Sequence, residues 1–264
     1  MTEMPRFKRR LRDGDPVTGQ WLSVGHPAVA EVCAREADFA VVDTEHAPTD
    51  LESVANVARA VEAAGDGDAA GDGETALLAR VAWNDPVRIK RVLDTGVSGV
   101  LVPMVESAEE AREAVEAVRY PPEGVRGIAG SRGNDYGRNL AEQVEDGGNH
   151  LVTVVQIETE EAVENAGAIA AVEGVDALLV GPADLSGSLG VFGEYAGETF
   201  REAVESVLDR AHDADTPVGT LATSDDEIRR WAEYGYDYQI VGVDAGYLAA
   251  GAERARSVYD EEMG

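Results

Sequence analysis

Cysteine is almost missing from these 264 residues, and its one occurrence, Cys33, excludes an intrachain disulfide. Its setting, the helical-looking AEVCAREA, reads as a small apolar packing residue rather than a reactive thiol. Histidine is scarce too. The four, at positions 26, 46, 150 and 212, show no HxH or HxxxH spacing, which argues against a histidine-rich zinc site. Long apolar runs are also lacking: the strongest, LLARVAW (77–83) and ALLVG (177–181), fall far short of the roughly 20 residues a membrane span needs. The basic start, MTEMPRFKRRLRDGDP, leads into no uninterrupted apolar stretch with a cleavage pattern, so a cytoplasmic protein is expected. Positive charge is the scarcest commodity. Fifty-one acidic residues face twenty-two basic ones, and only Lys8 and Lys90 are lysines. A formal charge of −29 repels nucleic acid and anionic membrane surfaces, so neither is an expected partner. The acidic residues are spread over nearly every candidate helix, a pattern that fits adaptation to concentrated salt.

What is present is a rhythm. Short β-rich runs alternate with amphipathic ones, the signature of βα units around a parallel sheet. Eight strands are expected: GQWLSV (19–24), FAVVDTE (39–45), ALLARVAW (76–83), GVLVPMV (99–105), LVTVVQIE (151–158), ALLVGP (177–182), PVGTLA (217–222) and YQIVGVD (238–244). Between them, stretches such as LESVANVARAVEAA (51–64), SAEEAREAVEAVRY (107–120) and TFREAVESVLDRAHD (199–213) carry apolar residues at i, i+3, i+4 and i+7. Eight such units close an α/β (β/α)8 TIM barrel, a fold that takes about 250 residues as one domain, so a single domain over 1–264 is expected. GDGDAAGDGE (65–74) reads as a solvated surface loop. The Gly- and Pro-punctuated stretch 120–150 is too long for a simple connection and has room for a short extra helix.

In such barrels the chemistry gathers at the C-terminal strand ends and the loops beyond them. Polar residues concentrate there, in VVDTEHAP (41–48), ALLARVAWNDP (76–86), VVQIET (154–159) and LLVGPADLS (178–186). Strand alternation puts Gln156 and Glu158 on one face, and a Gly-Pro turn can bring Asp184 towards Glu158, so two carboxylates could hold one hard cation. A structural ion pair explains the same two residues. Asp43 and His46 stand close together, where the acid could orient the ring; an exposed loop histidine is the plainer reading. Arg80 shares a strand face with Leu78 and Ala82 and suits either a substrate carboxylate or an internal ion pair. Glu45 and Trp83 read as packing or supporting residues.

At these residues the sequence resembles the HpcH/HpaI aldolase family. VVDTEHAP, ARVAWNDPVRIKRVLDTG, LVPMVESAEEAREAVEAVRYPPEGVRG, VVQIET, VEGVDALLVGPADLS and VGVD occur in the family's order and at similar spacing, over nearly the whole chain. The likeness is greatest to its 4-hydroxy-2-oxoheptane-1,7-dioate, 2-dehydro-3-deoxyglucarate and 2-keto-3-deoxy-L-rhamnonate aldolase branches. The resemblance implies a barrel of the phosphoenolpyruvate/pyruvate type and a class II aldolase that cleaves 4-hydroxy-2-oxo acids to pyruvate and an aldehyde. It implies a Mg2+, Mn2+ or Co2+ ion on Glu158 and Asp184, with pyruvate against Gln156, Ala183 and Asp184. Arg80 would stabilise the enolate and His46 transfer the proton, with Asp43 as its partner and Asp94 raising its basicity from across a subunit interface. A homo-oligomer, a hexamer built as a trimer of dimers with exchanged C-terminal helices, is implied as well. The GDGDAAGDGE insertion and the SRGNDYGRN loop depart from the family's pattern, so the aldehyde does not carry over.

Two rival readings are a lyase of CoA thioesters of the malyl-CoA/citrate lyase β type and a barrel without catalysis. The EHAP and WNDP segments weigh against the first and the complete set of site positions against the second. Independently of either, the charge of −29 sets an expectation for stability: structure or assembly should be lost at low salt and regained in molar KCl. Thermal melts across that range test it, and an unchanged melting temperature would contradict the salt reading.

Overall fold

The structure, a computed structural model, describes residues 6–65 and 75–264. Eight strands, β1 (Val17–Leu22), β2 (Phe39–Asp43), β3 (Ala76–Arg80), β4 (Gly99–Val102), β5 (Val152–Ile157), β6 (Ala177–Val180), β7 (Val218–Leu221) and β8 (Tyr238–Val243), pair in chain order and in parallel, and β8 closes on β1. The expected (β/α)8 TIM barrel is therefore the fold. Several strands stop short of the expected ends: Thr44 and Glu45 leave β2, and Val81 to Trp83 leave β3. Single backbone bonds still tie Thr44 to Arg80 and Val81 to Leu101 beyond the ladder.

The helices are α1 (Arg6–Asp13), α2 (Pro27–Ala34), α3 (Leu51–Gly65), α4 (Pro86–Leu93), α5 (Ala108–Val118), α6 (Leu140–Asp146), α7 (Glu160–Ala170), α8 (Pro182–Ser188), α9 (Glu198–His212), α10 (Asp225–Tyr234) and α11 (Asp244–Met263). Local chemistry fixes their starts. Asp85, Ser107, Thr159 and Ser224 each accept a backbone N–H from the first turn of the helix that follows, and Pro86 supplies the preset φ of a first helical residue. The extra helix expected within 120–150 is α6, preceded by a 3-10 turn at Arg132–Gly137. The GDGDAAGDGE loop, from residue 66 onward, lies outside the described residues.

Two apolar layers hold the barrel. The outer one packs strand faces such as Ala40, Val42, Val100 and Val155 against Val57, Ile89, Ala114 and Phe200 of the helices. The inner one fills the barrel below its mouth with Trp21, Phe39, Leu78, Leu101, Val154, Leu179, Tyr238 and Ile240. Its aromatic rings need glycine opposite them: a Cβ on Gly19 would meet the Phe39 ring at 2.4 Å, and one on Gly219 would meet Tyr238 at 2.2 Å. Large and small residues thus alternate around the barrel so that it fills without strain.

Polar groups lock the strand starts. Just before β2, β6 and β8, the carboxylates of Asp38, Asp176 and Asp237 accept the N–H of Thr18 (3.0 Å), Thr153 (3.0 Å) and Val218 (2.7 Å) on the preceding strands. Before β4, the Ser98 hydroxyl does the same for Leu77 at 3.2 Å. At the other end, Asp244 joins β8 to β1 by accepting the N–H groups of Ser23 (2.9 Å) and Val24 (3.0 Å).

Lys8 belongs to α1, which plugs the barrel base with Phe7 and Leu11. Its ammonium is buried on the carbonyls of Asn149 (2.8 Å) and Leu151 (2.7 Å) and on Asp176 at 3.0 Å. Burial pushes its pKa down, against the pull of Asp176. At the opposite extreme, α11 has only its first residue, Asp244, buried and leaves Tyr247, Leu248, Val258, Tyr259 and Met263 exposed. No helix among the described residues is long and apolar enough to cross a membrane.

Lys8→Ala should leave the buried Asp176 carboxylate with only the half-exposed Arg12 at 3.3 Å and cost about 2–4 kcal/mol, somewhat under the usual penalty for breaking a buried pair. Urea unfolding measures it; a loss below about 1 kcal/mol would show that α1 does not support the barrel.

Candidate active site

Strand alternation carries one row of side chains up the inside of each strand, apolar below and polar at the top. On β2 the row is Phe39, Val41, Asp43; on β3 it is Ala76, Leu78, Arg80. Asp43 and Arg80 are register partners on these neighbouring strands, and their side chains meet in a bidentate pair, Nε to Oδ1 at 2.9 Å and Nη2 to Oδ2 at 2.7 Å. Arg80 Nη1 stands 2.9 Å from Glu45 Oε2, a charge contact without hydrogen-bond direction. The guanidinium also lies over the Trp21 ring at 4.6 Å. Two of the five N–H groups donate to Asp43, and the remaining three, which include both on Nη1, make no hydrogen bond among the described residues. Burial pushes the Asp43 carboxyl up, but the Arg80 guanidinium and the N–H groups of Glu45 and His46 outweigh it and hold the group below the usual carboxylate range.

Asp43 was expected to orient the His46 ring, and here the structure differs. Its carboxylate is consumed by Arg80 and by the backbone N–H groups of Glu45 (2.9 Å) and His46 (3.4 Å), so it sets the loop's path and not the ring. The ring's nearest carboxylate is Glu45, with Oε1 at 3.8 Å from Nε2. Glu45, expected only to pack or support, therefore links Arg80 to His46. Burial pushes its carboxyl up, against the charges of Arg80 and His46. The His46 side chain is 71% exposed, open to an incoming molecule.

Across the mouth, β5 raises Val152, Val154, Gln156 and Glu158 on its inner face. Glu158 accepts the Met104 N–H at 2.9 Å on one oxygen and the Gln156 amide at 2.8 Å on the other. It presses so close to β6 that a Cβ on Gly181 would lie 2.6 Å from its Oε1. Burial pushes Glu158 up to about 7, and the charges of Asp184 and Glu45 add to it, while the Met104 N–H and Arg80 oppose. Ala183 and Asp184 follow on the first turn of α8, at the exposed rim.

These groups line one cavity of about 240 Å3: Trp21, His46, Arg80, Gln156, Glu158, Ala183 and Asp184, together with Tyr195, Leu221, Thr223 and Glu227. A larger cavity of about 450 Å3 lies outside the barrel between α3 and α4 and contains none of the expected site residues. The inner cavity is the candidate site because the barrel's polar side chains converge there. Asp94 is not among them. It caps α4 at the end away from the mouth, 3.5 Å from Arg126 and 3.3 Å from the Ser131 hydroxyl.

The donors suit a hard divalent cation. Glu158 and Asp184 supply carboxylates, and the buried Gln156 Oε1 has no hydrogen-bond partner in the structure. Among the described residues no three His, Cys, Asp or Glu side chains form a closed cage, so a cation held there keeps positions open for a chelating ligand. Trp21, Tyr195, Thr223 and Glu227 were not anticipated. Trp21 hides in an apolar strand, and Glu227, three residues after Ser224, reads as a helix start.

Arg80→Met should strand two carboxylates and destabilise the protein by about 3–5 kcal/mol at neutral pH. The sign with pH follows from Asp43: its depressed pKa contributes stability above the ordinary carboxylate range, lost as pH falls through the folded value. Without Arg80, burial's upward push is opposed only by the N–H groups of Glu45 and His46, so the gap between variant and parent should shrink as the medium is acidified. Urea midpoints at pH 7.5 and pH 4.5 check this, and an equal gap at both would contradict the pairing.

The sequence profile of the HpcH/HpaI aldolase/citrate lyase family matches residues 18–250. A 4-hydroxy-2-oxovalerate aldolase of Novosphingobium aromaticivorans is 37% identical over 252 residues, covering 95% of this chain and 93% of its own. A 5-keto-4-deoxy-D-glucarate aldolase of Escherichia coli is 34% identical over 256 residues, 96% of each chain. Among solved structures, an HpcH/HpaI aldolase/citrate lyase family protein of Burkholderia cenocepacia superposes with a TM-score of 0.89 at 33% identity, covering 96% of this chain and 98% of that one. With the barrel, the mouth and these likenesses in agreement, the chain belongs to the HpcH/HpaI aldolase/citrate lyase family.

Proposed function

We propose that this protein is a divalent-metal-dependent pyruvate aldolase, which reversibly cleaves a 4-hydroxy-2-oxo acid to pyruvate and an aldehyde. The observation that carries the reading is the pairing, across one mouth, of a carboxylate and amide cluster (Gln156, Glu158, Asp184) with a guanidinium that keeps N–H groups in reserve. The aldolase relatives support the chemistry.

Glu158 and Asp184 would hold the cation, Mg2+, Mn2+ or Co2+, and Gln156 and Ala183 would border the pyruvate portion beside them. When bound, the cation supplies Lewis-acid polarisation of the 2-oxo group. Arg80 donates its remaining N–H groups where negative charge develops as the carbon–carbon bond breaks, and Asp43 and Glu45 fix it there in advance. His46, exposed at the opening and backed by Glu45, takes the proton from the C4 hydroxyl and returns one in the reverse direction. The inner layer of Trp21, Leu179 and Leu221 keeps the enolate's surroundings apolar.

The lysines support a metal route over a Schiff base. Lys8 is buried at the barrel base, and Lys90 sits on α4, outside the barrel and beside Gly127. The exposed α11 supports a homo-oligomer in which that helix packs on another copy, in the family's hexameric pattern. Asp94 would then act on a neighbouring subunit's mouth.

EDTA should abolish cleavage, Mn2+ or Mg2+ should restore it, and borohydride with pyruvate should leave both lysines unlabelled. His46→Ala should lower turnover by roughly 10²–10⁴ and keep metal affinity, read by calorimetry. Full activity after exhaustive chelation, or a pyruvyl adduct on Lys90, would overturn the proposal.

A further inference from the structure

The cavity has two chemically different halves. One, built from Gln156, Glu158, Ala183 and Asp184 opposite Arg80, is matched to pyruvate. The other is built from Tyr195, Leu221, Thr223 and Glu227, which stand after α8 and after β7. Leaving His46 aside, Arg80 is the one cationic side chain in the whole lining, and Asp43 and Glu45 already engage it. The carboxylates in the lining number three, and two of them, Glu158 and Asp184, are those assigned to the cation. Glu227 is the third and, among the described residues, has no cation within ion-pair distance.

Glu227 is fixed in place. Both its hydrogen bonds, from the Thr223 N–H at 2.7 Å and the Thr223 hydroxyl at 2.9 Å, fall on Oε2, so Oε1 keeps its acceptor capacity. Tyr195 is equally constrained: its ring is wedged against Phe200 (5.4 Å between centroids) and Trp231 (5.7 Å), and its backbone carbonyl accepts the Tyr234 hydroxyl at 2.8 Å. The result is a rigid wall that carries a carboxylate, a phenol and a threonine side chain. Such a wall offers hydrogen bonds to hydroxyl groups and repels a negative charge.

We propose that Glu227, held by Thr223 and flanked by Tyr195, makes the aldehyde half of the mouth select uncharged, hydroxyl-bearing aldehydes against aldehydes that end in a carboxylate. The inference rests on the aldolase reading and deepens it. Within the cavity a terminal carboxylate would face Glu227 with no free arginine or lysine to answer it. A terminal hydroxyl would donate to Glu227 and accept from Tyr195. Helix capping by Glu227 accounts for its bonds to Thr223, but it gives no reason for discrimination between aldehydes of one shape, and that discrimination is the measurable difference.

The test uses the full chain with Mn2+ and pyruvate, and two aldehydes that differ at one carbon. Glyceraldehyde ends in CH2OH; tartronate semialdehyde carries a carboxylate in its place. The assembled enzyme should favour glyceraldehyde in kcat/KM by roughly tenfold to a hundredfold, the size of one like-charge contact at intermediate dielectric. Glu227→Gln keeps an acceptor for Thr223 and removes the charge, and it should bring the ratio close to one, chiefly by lowering KM for tartronate semialdehyde. Equal kcat/KM values in the parent enzyme overturn the inference, whatever the variant's stability. So does an unmoved ratio in a folded Glu227→Gln. Deuterium exchange at pyruvate C3 needs no aldehyde and separates the two readings: exchange with equal aldehyde ratios removes only the selectivity claim. No exchange and no cleavage removes the aldolase assignment beneath it.

Discussion

Everything at the mouth depends on the charge of Arg80. The barrel's inner top gathers Asp43, Glu45, Glu158 and Asp184 within one small space, and carboxylates brought so close resist ionising together. The guanidinium answers the first two directly. It thereby turns the β2–β3 corner into a fixed donor array, while it acts on Glu158 only as the weakest of the influences on that carboxyl. Burial and that residual repulsion raise Glu158, which makes the β5–β6 corner a place where added positive charge is stabilising. One side chain thus divides the mouth into a neutralised half and a cation-seeking half.

The lower barrel explains how so much polarity is tolerated above it. Phe7, Phe39 and Tyr238 interlock at the base, with ring centroids 4.6 and 6.0 Å apart, and glycines opposite them leave room. Asp176 and Asp237 satisfy backbone donors of the buried Thr153 and Val218 that would otherwise lack a partner. Some of the chain's many acidic residues are therefore structural parts of the sheet and not a solvated coat. Lys8 extends this logic: one of the two lysines is spent on Asp176 and the carbonyls beside it. Scarcity of lysine does not mean that those retained are idle.

The fold was legible because period-2 strands and period-3.6 helices alternate without interruption, and strand order in such a barrel is chain order. Position on the inner face was legible for the same reason, which is how Gln156, Glu158 and Arg80 could be placed near the mouth. Side-chain pairing was not. Asp43 had two partners within reach of its strand, and the choice of Arg80 over His46 comes from lateral register between β2 and β3, which sequence spacing does not encode. Tyr195 and Glu227 arrive from segments whose local pattern speaks only of a loop and a helix start. Lys8 could not be placed from the sequence, because a helix of eight residues leaves too short a pattern to separate it from a charged terminus.

Gly181 has a consequence for how this architecture can change over time. A side chain there would force Glu158 aside, and Glu158 is tied in turn to the Met104 N–H and to Gln156. A substitution at Gly181, Glu158 or Gln156 therefore disturbs the other two, so this half of the mouth is mutationally brittle. The opposite half hangs on side chains with few dependants, since Glu227 answers mainly to Thr223. Drift and selection can therefore rework one half while the other stays frozen, and new substrates become accessible to descendants of this barrel through one or two replacements.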